Sequence, residues 1–113
     1  MAANNYADLL RGLERFEEAK VVLRKIVPMA RRILGESSEI TLKMRLGYAY
    51  AHYHDNSAKL DDLREAVTML EEAGRIAQRV LGGAHPITKV IEEDLQDARA
   101  VLRANEETQP EED

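Results

Sequence analysis

Three histidines, twenty-one carboxylates and four tyrosines are the groups in this 113-residue chain that could do chemistry. His52 and His54 stand two apart in a stretch with helical periodicity. Their side chains therefore diverge by about 200°, whereas helical metal ligands favour spacings such as i and i+4. No metal site is expected from them, and His85 reads as a helix-start residue. The carboxylate pairs Glu17/Glu18, Asp61/Asp62, Glu71/Glu72 and Glu92/Glu93 suggest acid–base work at first sight. Adjacent helical residues point about 100° apart, so these pairs read as solvated faces. There is no phosphate loop, no nucleophile elbow and no zinc-spaced ligand set. The expectation is no catalytic residue, no metal, no cofactor and no enzyme activity.

Tyr6, Tyr48, Tyr50 and Tyr53 are the main aromatic concentration. Tyr50 is expected in the core. Tyr48, near Met44 and His52, is open to two readings, a packed ring or an anchor for a partner.

The elements that position these groups repeat. FEEAKVVLRKIVPMARRILGESSEIT, residues 16–41, returns 47 residues later as LREAVTMLEEAGRIAQRVLGGAHPIT, residues 63–88. Glu18, Ala19, Leu23, Ala30, Arg32, Leu34, Gly35, Ile40 and Thr41 recur as Glu65, Ala66, Leu70, Ala77, Arg79, Leu81, Gly82, Ile87 and Thr88. A helix–turn–helix unit repeated at this spacing points to an all-α fold, an α-solenoid of antiparallel helix pairs. Phe16, Ala19, Leu23, Ile26, Ala30 and Ile33 form a helical stripe, copied by Leu63, Ala66, Leu70, Ala73, Ala77 and Val80. Small Ala19 and Ala66 admit a neighbouring helix closely, and Gly35 and Gly82 suit the left-handed conformation of a helix end. Pro28 removes one hydrogen bond inside the first striped helix, predicting a kink rather than a stop, with two shorter helices as the competing reading. Ser38, and His85 before Pro86, begin the alternate helices.

About five helices follow. One spans residues 2–12, and Asp55 to Lys59 form a long connection. Units of about 1–35 and 38–82 and a terminal helix 86–104 make one domain, 1–104. Residues 105–113, NEETQPEED, carry no anchoring apolar side chain and are expected to be a disordered acidic tail.

Composition sets limits on partners. The net charge of −5 arises at the end of the chain, where five of the 21 acids lie in the last eight residues, leaving 16 acids against 16 bases. Without an excess of bases the body offers no nucleic-acid surface. No apolar run reaches the roughly 20 residues of a membrane span, and the absence of cysteine excludes a disulfide framework. A cytoplasmic setting is expected.

Several runs together resemble the kinesin-light-chain type of tetratricopeptide repeat. They are Asn4-Asn5-Tyr6-Ala7, Arg15-Phe16-Glu17-Glu18-Ala19, Arg32-Ile33-Leu34-Gly35 and Leu81-Gly82-Gly83-Ala84-His85-Pro86-Ile87-Thr88. Leu46-Gly47 with Tyr50 matches the general repeat signature. Departures are Glu14 at the turn glycine, Ser38-Glu39 in place of His-Pro, and the longer loop DNSAKLDDL. The resemblance implies a right-handed superhelical stack that binds a peptide or protein segment in a concave groove. That groove would be lined by Asn4, Asn5, Asp8 and Arg11 from the first unit and by Thr41, Met44, Arg45, Tyr48 and His52 from the second. A carboxylate clamp of Lys and Asn is not implied, because Asp8 and Met44 occupy two of its positions. The alternative is a C-terminal capping segment of a longer array, or an oligomerisation module that self-associates through its open N-terminal edge.

Overall fold

The computed structural model describes residues 15–55 and 58–108. Within them lie four helices and no strand: α1 Phe16–Ile33, α2 Glu39–Tyr53, α3 Leu60–Val80 and α4 Pro86–Thr108. The fold is an all-α helical repeat. The expected helix at 2–12 lies outside the described residues, as do positions 109–113 of the expected tail. Residues 105–108 continue α4 instead of leaving it. There the Asn105 amide donates to the Val101 carbonyl at 2.8 Å and the Thr108 hydroxyl to the Ala104 carbonyl at 3.2 Å.

The 47-residue offset persists in the hydrogen bonds. α1 ends with Leu34 N–H donating to the Ala30 carbonyl, and α3 with Leu81 N–H donating to that of Ala77, both at 2.8 Å. Gly35 and Gly82 follow at φ of 90° and 88°, a region that costs other residues strain. The next helices start alike. Ser38 Oγ accepts from Ile40 N–H at 3.2 Å, and the His85 imidazole Nδ1 accepts from Ile87 N–H at 3.1 Å. One difference concerns the paired threonines. The Thr41 hydroxyl donates to the Ala30 carbonyl at 3.3 Å, whereas Thr88, equally buried, finds no hydrogen-bond partner.

Pro28 sits inside α1, which runs through it as one helix. The stripe is buried at Ala19, Leu23 and Ala30, and again at Leu63, Ala66, Leu70, Ala73 and Ala77. Its last members, Ile33 and Val80, stand at the helix ends and are exposed. α2 packs against all three other helices, and α3 also against α4. Leu42, Ala49 and Tyr53 of α2 join the α3 stripe and Ile87, Ile91 and Ala98 of α4 in the largest apolar cluster. A second cluster joins Leu23, Val27 and Ala30 of α1 to Met44 and Tyr48. Fully burying a leucine such as Leu70 contributes roughly 1.5–3 kcal/mol.

One ion pair ties α1 to the segment after α2. The Lys20 side chain, 7% exposed, reaches Asp55 at 2.9 Å and Glu17 at 2.7 Å. Burial pulls the Lys20 pKa down, but hydrogen bonds and charge from Glu17 and Asp55 outweigh it, so the pKa lies above the usual lysine value of 10.5.

Two outcomes are expected. Ala66→Trp, which overpacks a fully buried position, should destabilise the domain by about 1–3 kcal/mol in urea unfolding; unchanged stability would mean the helices do not meet closely there. Asp55→Ala should cost roughly 1–3 kcal/mol by leaving Lys20 with Glu17 as its one carboxylate partner. A folded-state pKa above the unfolded one makes the Lys20 contribution complete below about pH 10.5 and lost as pH rises through the folded value. A wild-type advantage that disappears near neutral pH would contradict this assignment.

Candidate functional site

α2 positions the chemistry-bearing residues, and its two sides differ. Thr41, Met44, Arg45, Tyr48 and His52, expected to line an open groove, lie on the side closed over by α1 and α3. None is more than 6% exposed. They are interior residues of the described chain. Asn4, Asn5, Asp8 and Arg11, the other expected groove residues, lie outside the described residues.

The polar members of this stripe are covered by groups from the flanking helices and turns. Arg45 Nη2 donates to Glu72 of α3 at 2.7 Å, and its Nη1 lies 3.6 Å from Glu36. Arg24 of α1 donates to the Tyr48 hydroxyl at 3.4 Å. The His52 ring meets Tyr48 edge-on, with centroids 4.6 Å apart. Its nitrogens face Glu65 and Asp62 of α3 at 3.4 and 4.0 Å. Burial lowers the His52 pKa; Glu65 and Asp62 oppose that shift, while Lys20 and Arg24 reinforce it. The imidazole is therefore neutral at pH 7. His54, two residues on, points elsewhere and stacks on Tyr50 at 3.8 Å, so the two histidines share no ligand position.

The other side of α2 is the more open one. Glu39, Lys43 and His54 are exposed there, and Leu46 and Tyr50 are half-buried. Tyr50, expected in the core, thus sits nearer the surface than Tyr48 or Tyr53. Phe16, Tyr50, Tyr53 and His54 gather into one group of rings at the end of α2. α4 lies alongside, its start held to that of α2 by His85 Nε2 and Glu39 Oε1 at 3.0 Å. Val90 and Asp97 of α4 are exposed and Asp94 is half-buried. Burial, with the charges of Asp94 and Asp97, raises the Tyr53 pKa well above the usual phenol value. The Tyr53 hydroxyl lies near Asp94 without a hydrogen bond of ordinary geometry, and the carboxylate acts on it through charge.

Sequence reasoning missed two constellations, Lys20 with Asp55 and His52 with Asp62 and Glu65. Their members come from different helices or from a connection, and no fixed spacing announces them. Among the described residues no helix is long and apolar enough to cross a membrane.

No curated protein and no solved structure matches the chain. The family profile described as Tetratricopeptide repeat matches residues 1–39 and 57–87, more than half of the sequence. With the helix pairs repeating at the same offset in sequence and hydrogen bonding, the chain belongs to the tetratricopeptide repeat family.

Proposed function

We propose that this chain is a non-catalytic interaction module of the kinesin-light-chain type, holding a peptide or protein segment against the open side of α2 and α4. Tetratricopeptide repeats generally mediate protein–protein interaction, which supports the class of function. The observation that carries the choice of surface is the division of α2. One side is buried, while the other presents Lys43, which forms no ion pair among the described residues, next to the partly exposed Tyr50. Val90, 41% exposed, and Asp97 extend the strip onto α4. A base, an acid, a ring and an aliphatic group on neighbouring helices suit a segment held by polar contacts around one or two apolar anchors. In this reading Asn4, Asn5, Asp8 and Arg11 continue the surface on the preceding unit, and Thr41, Met44, Arg45, Tyr48 and His52 support α2 from behind.

The second reading, a segment of a longer array or a self-associating edge, has an observation of its own. Met29, Ile33 and Leu34 at the end of α1 are 45%, 69% and 44% exposed, an apolar strip that another unit or a second copy would cover.

Selection from a random peptide library, followed by amide chemical-shift mapping of a bound peptide, tests the first reading. Shifts should concentrate on α2 and α4. Lys43→Glu with Val90→Asp should weaken binding at least about tenfold without loss of helicity. Lys25→Glu, on the far side of α1, should change it less than about twofold. A footprint on α1 and α3 that Lys25→Glu abolishes would reject the surface. Sedimentation of the wild type and of Ile33→Glu tests the second reading: association that the substitution removes supports it, and a monomer at all concentrations counts against self-association.

A further inference from the structure

His52 is 1% exposed, yet neither of its ring nitrogens makes a hydrogen bond. Two orphaned nitrogens on one buried ring are costly, and their surroundings show what could satisfy one of them. Glu65 Oε2 stands 3.4 Å from Nε2 and Asp62 Oδ1 stands 4.0 Å from Nδ1. Asp62 and Glu65 are three residues apart near the start of α3, so one helical face presents both carboxylates to the end of α2. One donor atom from each of the three residues lies within 4.8 Å of the other two.

We infer that His52, Asp62 and Glu65 form a binding site for a single divalent transition-metal ion, with Zn²⁺ as the ion that suits the donors. The set is one imidazole nitrogen and two carboxylate oxygens, a mixture that zinc accepts, and two negative charges balance the ion. Tetrahedral zinc with bonds of about 2.0–2.2 Å places its ligand atoms about 3.3–3.6 Å apart. The separation of Nε2 from Glu65 already falls in that range. An ion takes only one ring nitrogen, so Asp62, which stands nearer Nδ1, closes on an ion at Nε2 by side-chain rotation; one donor atom of each residue lies within 4.8 Å of the others, and Glu65 and Asp62 are 52% and 38% exposed. Their exposure also leaves a path for the ion and for water in the remaining coordination position.

The surroundings are consistent with this role. Asp62 Oδ2 accepts the Lys59 backbone N–H at 3.2 Å, which orients the carboxylate and leaves Oδ1 for the ion. Lys20 and Arg24 approach the ring from α1, but Lys20 is paired with Asp55 and Glu17, and Arg24 donates to Tyr48. The charge of Lys20 is thus countered by two carboxylates, while Arg24 is hydrogen-bonded to a neutral hydroxyl and keeps its charge. The ligands come from two helices, so the site has no short sequence motif.

The test is direct titration of the full chain, stripped with a chelator, with Zn²⁺ by calorimetry and with Co²⁺ by visible absorption. We expect one ion per chain, a melting temperature that rises with zinc concentration, and a zinc-dependent shift of the His52 ring signals. Glu65→Gln and Asp62→Asn should each weaken binding at least about tenfold while helicity is kept. Glu93→Gln, an exposed acid elsewhere on α4, should change it less than about twofold. Absence of binding up to about 1 mM zinc, a range where only weak contacts register, overturns the proposal. Undiminished binding in both carboxylate variants overturns it too, as that means an adventitious ion only.

Discussion

A helix packed on three sides has few places to put a charge, and α2 carries two of its most polar residues on its covered side. Arg45 and His52 are almost wholly buried. Removing an arginine from water costs several kcal/mol before any partner is met, and an ion pair roughly returns that cost when its geometry is good. The partners of Arg45 come from different places, Glu72 on α3 and Glu36 in the turn before α2. Their effect on net stability is small. Their effect on registry is large, because any rotation of α2 that separated Arg45 from both glutamates would leave a buried, uncompensated charge. The polar stripe thus fixes how α2 is turned, and through α2 it fixes which residues face outward.

The repeat device sets where α2 begins. A positive-φ glycine ends each striped helix, and a side-chain acceptor three residues on starts the next. Serine in one copy and histidine in the other meet the same need, an acceptor for the N–H two residues further on. Chemically different residues are interchangeable there because only the lone pair matters. The same device places the starts of α2 and α4 side by side, where His85 reaches Glu39. Two non-consecutive helices, α2 and α4, are then packed together, a result that follows from local turn geometry.

What could be read from the sequence divides along this line. Helix ends, the α1 and α3 stripes and the small residues at crossings are local or periodic, and Leu-Gly, Ser38, Pro86 and Ala66 announced them. The orientation of α2 was not legible. Leu46-Gly47 with Tyr50 matched a known signature, yet Leu46 and Tyr50 are only half-buried while Gly47, Arg45, Tyr48, Ala49 and His52 are buried. Arginine and histidine at those positions suggest solvent to any hydropathy argument, since their covering partners are supplied by α1, α3 and the turn. The last residues of α4 were missed for a related reason. Asn105 and Thr108 hold the helix by side-chain bonds to carbonyls one turn back, and Glu106 reaches Arg64 of α3 at 3.5 Å. None of that registers as apolar periodicity.

The two surfaces assigned to α2 therefore depend on each other through structure rather than through contact. Tyr48 packs edge-on against His52 on the covered side, while Lys43 and Tyr50 occupy the open side, and the helix backbone separates them. An ion held by His52, Asp62 and Glu65 would join the end of α2 to the start of α3, near where the aromatic group of Phe16, Tyr50, Tyr53 and His54 gathers. Binding there adds a restraint at the end of the helix that Arg45 and Glu72 leave unrestrained. Both restraints act on the rotation of one rigid element, so they reinforce the same outward-facing side. The residues that resist turning of α2 are thus buried polar ones, Arg45 and His52, whose residue types alone suggest solvent.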